Sequence, residues 1–294
     1  MDPLFDPRHV RRAFSRAAAG YDAAAALQGE VRARLLESLE YLDGRTPAVV
    51  LDVGSGTGHA AAAMRKRWPK AQVVALDLAL PMLRQAKKQA GWWKPFPRVC
   101  ADARALPLAE GSVDVIFSNL CLQWVEDLPA VFAGFRRVLR PGGLLLCSSF
   151  GPETLAELRL AFAQADAAPH VSPFATIAQF GDALVAAGFR DPVLDRDLFT
   201  LTYPDLPALM RELRAIGATN ALAGRRRSLT GRARFAAAQA AYEPLRDAQA
   251  RLPSTWDVIY AQAWAPAPGA PIREGDQEVA AVPLSQIPIR RRTP

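Results

Sequence analysis

Three aspartates and a run of glycines carry the clearest chemistry in the chain. Leu51-Asp52-Val53-Gly54-Ser55-Gly56-Thr57-Gly58 stands where an apolar run passes into a helix-like segment. Gly54, Gly56 and Gly58 let the backbone approach a ligand closely, and with Ser55 they offer N–H groups at a helix N-terminus. A dinucleotide loop of the GxGxxG type places its third glycine one residue later and must accept a pyrophosphate. Asp52, closing the strand beside this loop, repels phosphate but suits a ligand carrying an ammonium and a sulfonium. Asp77 and Asp102 end the next two apolar runs. There Asp77, followed by Leu78, can accept both hydroxyls of a ribose, and Asp102, followed by Ala103, can accept from an adenine amine. A single aspartate after a strand is ordinarily a turn or cap residue. Three of them at the ends of successive strands share the edge where open α/β sheets bind ligands. A ligand with adenine, ribose, ammonium and sulfonium groups is S-adenosylmethionine, and the chemistry it supplies is methyl transfer.

Asn119 and Leu120 end a fourth apolar run, where the methyl donor should meet its acceptor. The segment reads Ser118-Asn119-Leu120-Cys121, unlike the Asn-Pro-Pro-Tyr type used on adenine nitrogen, which argues against a DNA base as substrate. No metal is expected. His9, His59 and His170 form no HxxxH pair, and Cys100, Cys121 and Cys147 lie in or beside apolar strands without ligand spacing, as reduced core thiols do.

These residues need a scaffold, and the hydrophobic pattern supplies one. From Ala48 to Phe150, short apolar runs alternate with amphipathic segments, as in parallel strands buried on both faces and joined by helices. Strands are predicted at 48–53, 72–76, 98–101, 113–118 and 144–150. The helix before the last of these has Asp127 as cap, Pro129 in its first turn and one stripe formed by Leu128, Val131, Phe132, Phe135, Val138 and Leu139, stopped by Pro141-Gly142-Gly143. A helix at 176–187 ends at Gly188 before a strand at 192–203, and a last strand runs over 255–264. Residues 10–42 read as helical, with Leu27, Val31, Leu35 and Leu39 spaced by four. The expected fold is an α/β, Rossmann-like, mostly parallel seven-stranded sheet with helices on both faces. The N-terminal helical segment takes 1–45, the binding domain 46–203 and 252–266, and an arginine-rich helical cap 204–251. Residues 267–294, dense in Pro, Gly and charge, read as a flexible tail.

The 294 residues, half of them hydrophobic, exclude global disorder. No run is long and apolar enough to span a bilayer and no secretory h-region opens the chain, so a cytoplasmic enzyme without a membrane partner is expected. The net charge of +7 suits an acidic partner or a solvated basic surface. Lys87-Lys88 are assigned to solvent and Arg290-Arg291-Arg292 to the tail.

The chain resembles the malonyl-[acyl-carrier protein] O-methyltransferases of biotin synthesis up to about Pro266. The matching stretches are Ala13-Phe14-Ser15-Arg16-Ala17-Ala18-Ala19-Gly20-Tyr21-Asp22, the glycine loop, Phe117-Ser118-Asn119-Leu120-Cys121-Leu122-Gln123-Trp124 and Leu201-Thr202-Tyr203-Pro204-Asp205-Leu206. Most specific are the cap stretches Ile216-Gly217-Ala218-Thr219-Asn220, Gly224-Arg225-Arg226-Arg227 and Leu229-Thr230-Gly231-Arg232. Ser55 stands where cysteine is frequent in related loops, and Thr219 where a histidine is expected. The resemblance implies methylation of the free malonyl carboxylate on a carrier protein. It makes Tyr21 a closing residue over cofactor or substrate, or an aromatic anchor. Arg214 becomes a cap arginine for a malonyl oxygen, or a solvated one. Arg225, Arg226 and Arg227 become a docking surface for an acidic carrier protein, or a solvated face. Pro169-His170-Val171-Ser172-Pro173-Phe174 and Gln123-Trp124 also resemble complex I assembly factors that modify a protein arginine. A scaffold with a vestigial site is disfavoured by the intact Asp52, Asp77 and Asp102. An RNA methyltransferase is disfavoured by the lack of an appended RNA-binding motif and of a clear base-stacking set, so no nucleic-acid partner is expected.

Overall fold

The computed structural model describes residues 3–42, 44–93, 95–226, 231–267, 272–274 and 277–279. The N-terminal segment is cut into α1 (Pro7–Ala17), α2 (Tyr21–Ala24) and α3 (Ala26–Glu37), followed by a 3-10 turn at Ser38–Leu42. Helix-poor Gly20 and the non-helical Ala25 interrupt what the sequence pattern read as one run. The predicted stripe survives the breaks, because Leu27, Val31, Leu35 and Leu39 are all buried.

Strands and helices then alternate: β1 (Val49–Val53), α4 (His59–Arg67), β2 (Gln72–Asp77), α5 (Leu80–Ala86), β3 (Arg98–Cys100), β4 (Val113–Ser118), α6 (Leu128–Val138) and β5 (Leu139–Phe150). Asp127 caps α6 by accepting from the Ala130 amide at 2.9 Å. The Pro141-Gly142-Gly143 stretch, expected to separate helix from strand, lies within β5, and the β4–β5 register shifts there. The chain continues through α7 (Ala156–Ala163), α8 (Ile177–Ala186), β6 (Arg190–Tyr203), α9 (Leu206–Ala215), α10 (Arg232–Tyr242) and β7 (Leu252–Trp264). The described residues of the cap region thus include two helices, α9 and α10.

One seven-stranded sheet has the order β3-β2-β1-β4-β5-β7-β6. β1 to β5 are parallel, and β7 runs antiparallel to both β5 and β6. Phe132, Phe135, Phe180 and Leu184 of α6 and α8 pack on one face. Leu35, Met64 and Leu83 of α3, α4 and α5 pack on the other. A further cluster joins α3, α7, α9 and α10 to Phe150 and Trp256, which seats the cap beside the C-terminal ends of the parallel strands. β8 (Ile272–Glu274) and β9 (Gln277–Val279) form an antiparallel pair where no regular structure was expected; the rest of 268–294 lies outside the described residues.

Candidate active site

The glycine loop leaves β1 with Gly54, Gly56 and Gly58 all at positive φ. The amides of Gly54 and Ser55 donate to the Leu76 carbonyl at 2.8 and 3.0 Å, which ties the loop to the end of β2. The close approach at Gly54 is obligatory: a Cβ there would lie 2.5 Å from both Cβ and Sγ of Cys121. At Gly58 a Cβ would lie 2.8 Å from that of Ala86, so this glycine serves the packing of α4 against α5.

Asp77 is the centre of the loop. Its Oδ2 accepts from the Gly56 amide at 2.9 Å and its Oδ1 from the Ala79 amide at 2.7 Å. Burial pushes its carboxyl up to about 6 despite those two donors. Asp102 stands across the cleft, at the end of β3, gripped by Arg104 Nε and Nη2 at 2.9 and 2.6 Å. Burial opposes its charged form, but the hydrogen bonds from Arg104 hold its carboxyl below the usual range. This pairing had no signature in the spacing.

One cleft gathers Tyr21, Gly54, Gly56, Asp77, Leu78, Asp102, Ala103, Asn119 and Leu120. Asn119 is held by donating to the Gln28 carbonyl at 3.1 Å and by accepting from the Ser148 hydroxyl at 3.0 Å. Leu120 adopts φ 46°, a left-handed conformation costly for a branched residue, and its amide donates to Ser148. The bend turns the end of β4 into the cleft.

Asp52 does not join them. Its side chain is 1% exposed and accepts from the Ala61 amide at 3.0 Å, in the first turn of α4. Burial pushes its carboxyl up to about 7. A carboxylate placed at the last turn of a buried strand reaches the helix behind the loop more readily than the ligand in front of it, so direct contact with an ammonium is not how Asp52 acts here. Ser55 and Gly58 likewise lie outside the cleft lining, and the Ser55 hydroxyl is buried without a hydrogen-bond partner among the described residues.

The N-terminal segment closes over the cleft. Val10, Arg11 and Phe14 of α1 line it, as does Tyr21, whose hydroxyl is pushed far above its usual range, first by burial and then by the Asp77 charge. A latch fixes this lid. Asp22 accepts from the Thr57 hydroxyl at 2.5 Å and pairs with His59 Nε2 at 3.1 Å. Burial opposes the charge on Asp22, but the bonds from Thr57 and His59 bring its carboxyl below the usual range. No spacing in the sequence links Asp22 to Thr57 and His59; only folding brings the Tyr21-Asp22 motif against the glycine loop.

Arg214 lies elsewhere, in a second cavity of about 770 Å³ under the cap. Trp124 borders both spaces and packs edge-on against Phe14 at 5.5 Å. The second cavity has an apolar floor that includes Phe150, Leu155 and Trp256, its charged lining consists of Arg214, Arg225 and Arg226, and His9 and His170 also border it. No carboxylate lines it among the described residues. His170 Nε2 donates to Asp166 at 2.8 Å behind the wall, and Arg226 and Arg234 reach the other Asp166 oxygen at 3.5 Å.

Arg225 is not a free docking residue. Its side chain is 16% exposed, donates to the Leu222 carbonyl at 2.8 Å and pairs with Asp6 at 3.2 Å, bolting the cap to the start of α1. The nearby bridge between Phe5 and Leu222 makes the same connection in the backbone. Arg227 lies outside the described residues. Thr219, at the position where a cap histidine was expected, faces His9 Nε2 at 3.3 Å, so a histidine reaches that place from α1. Among the described residues no group of three or more His, Cys, Asp or Glu could hold a metal ion.

An acid-lined cleft at the carboxyl ends of a 3-2-1-4-5-7-6 sheet, floored by a glycine loop, defines a Rossmann-like methyltransferase domain, and a family model of that description, "Methyltransferase domain", matches residues 51–147. Among solved structures, the YcgJ protein from Bacillus subtilis shares the fold with a TM-score of 0.56 at 16% identity, covering 79% of this chain and 98% of that one. A phosphoethanolamine N-methyltransferase of Haemonchus contortus shares it with a TM-score of 0.50 at 19% identity, over 80% of this chain and 52% of that one. The malonyl-[acyl-carrier protein] O-methyltransferase of Xylella fastidiosa is 67% identical over 292 residues, 99% of each chain. That of Gallionella capsiferriformans is 47% identical over 272 residues, 90% of this chain and 93% of the other. The chain belongs to the malonyl-[acyl-carrier protein] O-methyltransferase family.

Proposed function

We infer that the protein transfers the methyl group of S-adenosylmethionine to the free carboxylate of a malonyl thioester on acyl carrier protein, giving the methyl ester used for pimeloyl and biotin synthesis. The observation that carries this reading is the opposition of charge between two neighbouring spaces. The cleft presents Asp77 and Asp102 to a cationic donor, and the cavity across Trp124 presents three arginines to an anionic acceptor. S-adenosylmethionine supplies an electrophilic methyl group on a positively charged sulfur.

The residues of the cleft fit such a ligand. Asp77 offers carboxylate lone pairs beyond its two amide contacts, and Asp102 has acceptor capacity left beside Arg104. Gly56 leaves open the space that a side chain would fill, with nothing within 4 Å of a Cβ placed there. A malonyl carboxyl group, with pKa about 4, arrives ionised at neutral pH and needs no general base. What remains for the protein is alignment of nucleophile and methyl group and exclusion of water, since opposite charges are neutralised as the bond forms. Tyr21 and Phe14 cover the cleft, while Trp124 fixes the boundary between the two spaces. Arg214, exposed and without a carboxylate partner among the described residues, is the residue we assign to one acyl oxygen. A single contact leaves the other oxygen nucleophilic, where a full bidentate grip would quench it.

Arg226 remains the assigned contact for the acidic carrier protein, joined by Arg234, while Arg225 braces the cap. This division of labour assigns 1–45 to a lid, 46–203 with 252–266 to donor binding and 204–251 to the acceptor. A protein-arginine acceptor is disfavoured, because a guanidinium entering the second cavity would meet only like charge. The test is mass spectrometry of carrier proteins incubated with enzyme and S-adenosylmethionine. Malonyl-carrier protein should gain one methyl mass and acetyl-carrier protein none. Equal methylation of both, or of neither, would refute the malonyl reading.

A further inference from the structure

The chain has 36 Lys and Arg residues, and its lysines are only Lys66, Lys70, Lys87, Lys88 and Lys94. All of them fall in one window of a chain that uses arginine everywhere else. From His59 to Cys100 the sequence also carries Arg65, Arg67, Arg84 and Arg98, and Asp77 alone is acidic. This segment therefore carries about +8, more than the whole net charge of +7, and the remainder of the chain is close to neutral. In its middle stand Trp92 and Trp93, 93% and 83% exposed, with ring centroids 6.2 Å apart.

The fold gathers the described residues of this segment's basic and tryptophan set at one end of the sheet. The end of α4, the turn into β2 and the connection from α5 to β3 lie side by side, where Lys66, Lys70, Trp93 and Pro95 border a common groove. Arg65 donates to the Ala90 carbonyl and clamps the tryptophan connection onto α4. Lys66, Lys70, Lys87 and Lys88 are all exposed. The groove lies at the amino ends of β2 and β3, and the active-site cleft at the carboxyl ends of the same strands, so the two face opposite ways.

We propose that this face is a peripheral docking surface for an anionic phospholipid bilayer. Its chemistry is that of an interfacial anchor. Indoles favour the boundary between hydrocarbon and water, and lysines on flexible stems serve a diffuse negative surface without requiring fixed geometry. The two indoles are tilted by 57°, and thus offer no parallel platform for successive nucleic-acid bases. Among the described residues no helix is long and apolar enough to cross a membrane, so the contact is peripheral. Docking by this end leaves the cleft and cap facing the aqueous side. The proposal does not rest on the identity of the methyl acceptor.

The experiment is co-sedimentation of the full chain with vesicles of phosphatidylcholine alone and of equal parts phosphatidylcholine and phosphatidylglycerol. Binding is expected only to the anionic vesicles, weakening as salt rises. The double variants Trp92→Ala/Trp93→Ala and Lys87→Glu/Lys88→Glu should each lower the partition coefficient by about ten-fold or more, with methyl-transfer activity in solution unchanged. No binding to anionic vesicles at low salt overturns the proposal, as does binding that either variant leaves intact. Capture of single-stranded RNA or of an acidic carrier protein through these same residues, without vesicle binding, also overturns it and assigns the face to that partner.

Discussion

Removing the Asp77 carboxylate separates the two halves of the site. In the ligand-free protein Asp77 holds only two amides, at 2.9 and 2.7 Å, so lone pairs remain for the ribose hydroxyls. Hydrogen bonds to a charged acceptor are worth about 1.5–3 kcal/mol each, and two that are not fully additive place the loss for Asp77→Ala at roughly 3–5 kcal/mol. That is about 200- to 4,000-fold in the dissociation constant. Arg214→Ala, whose side chain borders the other cavity, should leave cofactor affinity within about two-fold and raise KM for the acyl substrate instead. Calorimetric titration with S-adenosylmethionine and its demethylated product measures both.

The pH dependence makes the test sharper. Burial raises the Asp77 carboxyl to about 6, so the protonated form accumulates below that pH and the acceptor is lost. Wild-type affinity should be full above it and fall towards about ten-fold per pH unit below it. Asp52 titrates nearby, at about 7, but lines neither the cleft nor the second cavity and is still present in Asp77→Ala, so its contribution persists when that of Asp77 is removed. Equal losses for Asp77→Ala and Arg214→Ala would refute the division into donor cleft and acceptor cavity. A slope that survives Asp77→Ala would refute the assignment of Asp77 as the titrating ligand contact.

Other perturbations read out the same geometry. Gly54→Ala forces a side chain into a left-handed conformation and against Cys121, and should cost about 2–5 kcal/mol of stability, seen as a lower thermal midpoint and lost cofactor uptake. Asp22→Asn removes the charge that latches the lid to Thr57 and His59; because Asp22 is half exposed, stability should change little while cofactor binding weakens about ten-fold by calorimetry. Unchanged affinity there would mean that the latch does not hold the lid in solution. The second aspartate with a raised pKa bears on folding. Asp52 binds a proton more tightly in the folded state than the unfolded value of 3.8 allows, so its contribution to stability is full below that pH and is lost as pH rises through about 7. Asp52→Asn should flatten the pH dependence of the denaturation midpoint across that window.

Much of the molecule was legible as sequence because the information is local. Apolar runs bounded by Gly, Pro and Asp reveal β1 to β4 nearly to the residue, and Asp127 with Pro129 marks the start of α6, since strand burial and helix capping depend on neighbours a few positions away. The glycine loop and the carboxylates after β2 and β3 followed from topology alone, because parallel strands deliver their carboxyl ends to one edge. Tertiary structure decided what each side chain faces. It turned Asp52 behind the loop, tied Arg104 to Asp102 and drew Arg225 inward to Asp6. It also joined Asp22 to Thr57 and His59, and gathered three arginines around the second cavity with no carboxylate among its described lining. Each of these is a contact between residues distant in the chain or a choice of direction at the end of a strand. Periodicity carries no record of either, because both are settled by which elements pack against one another.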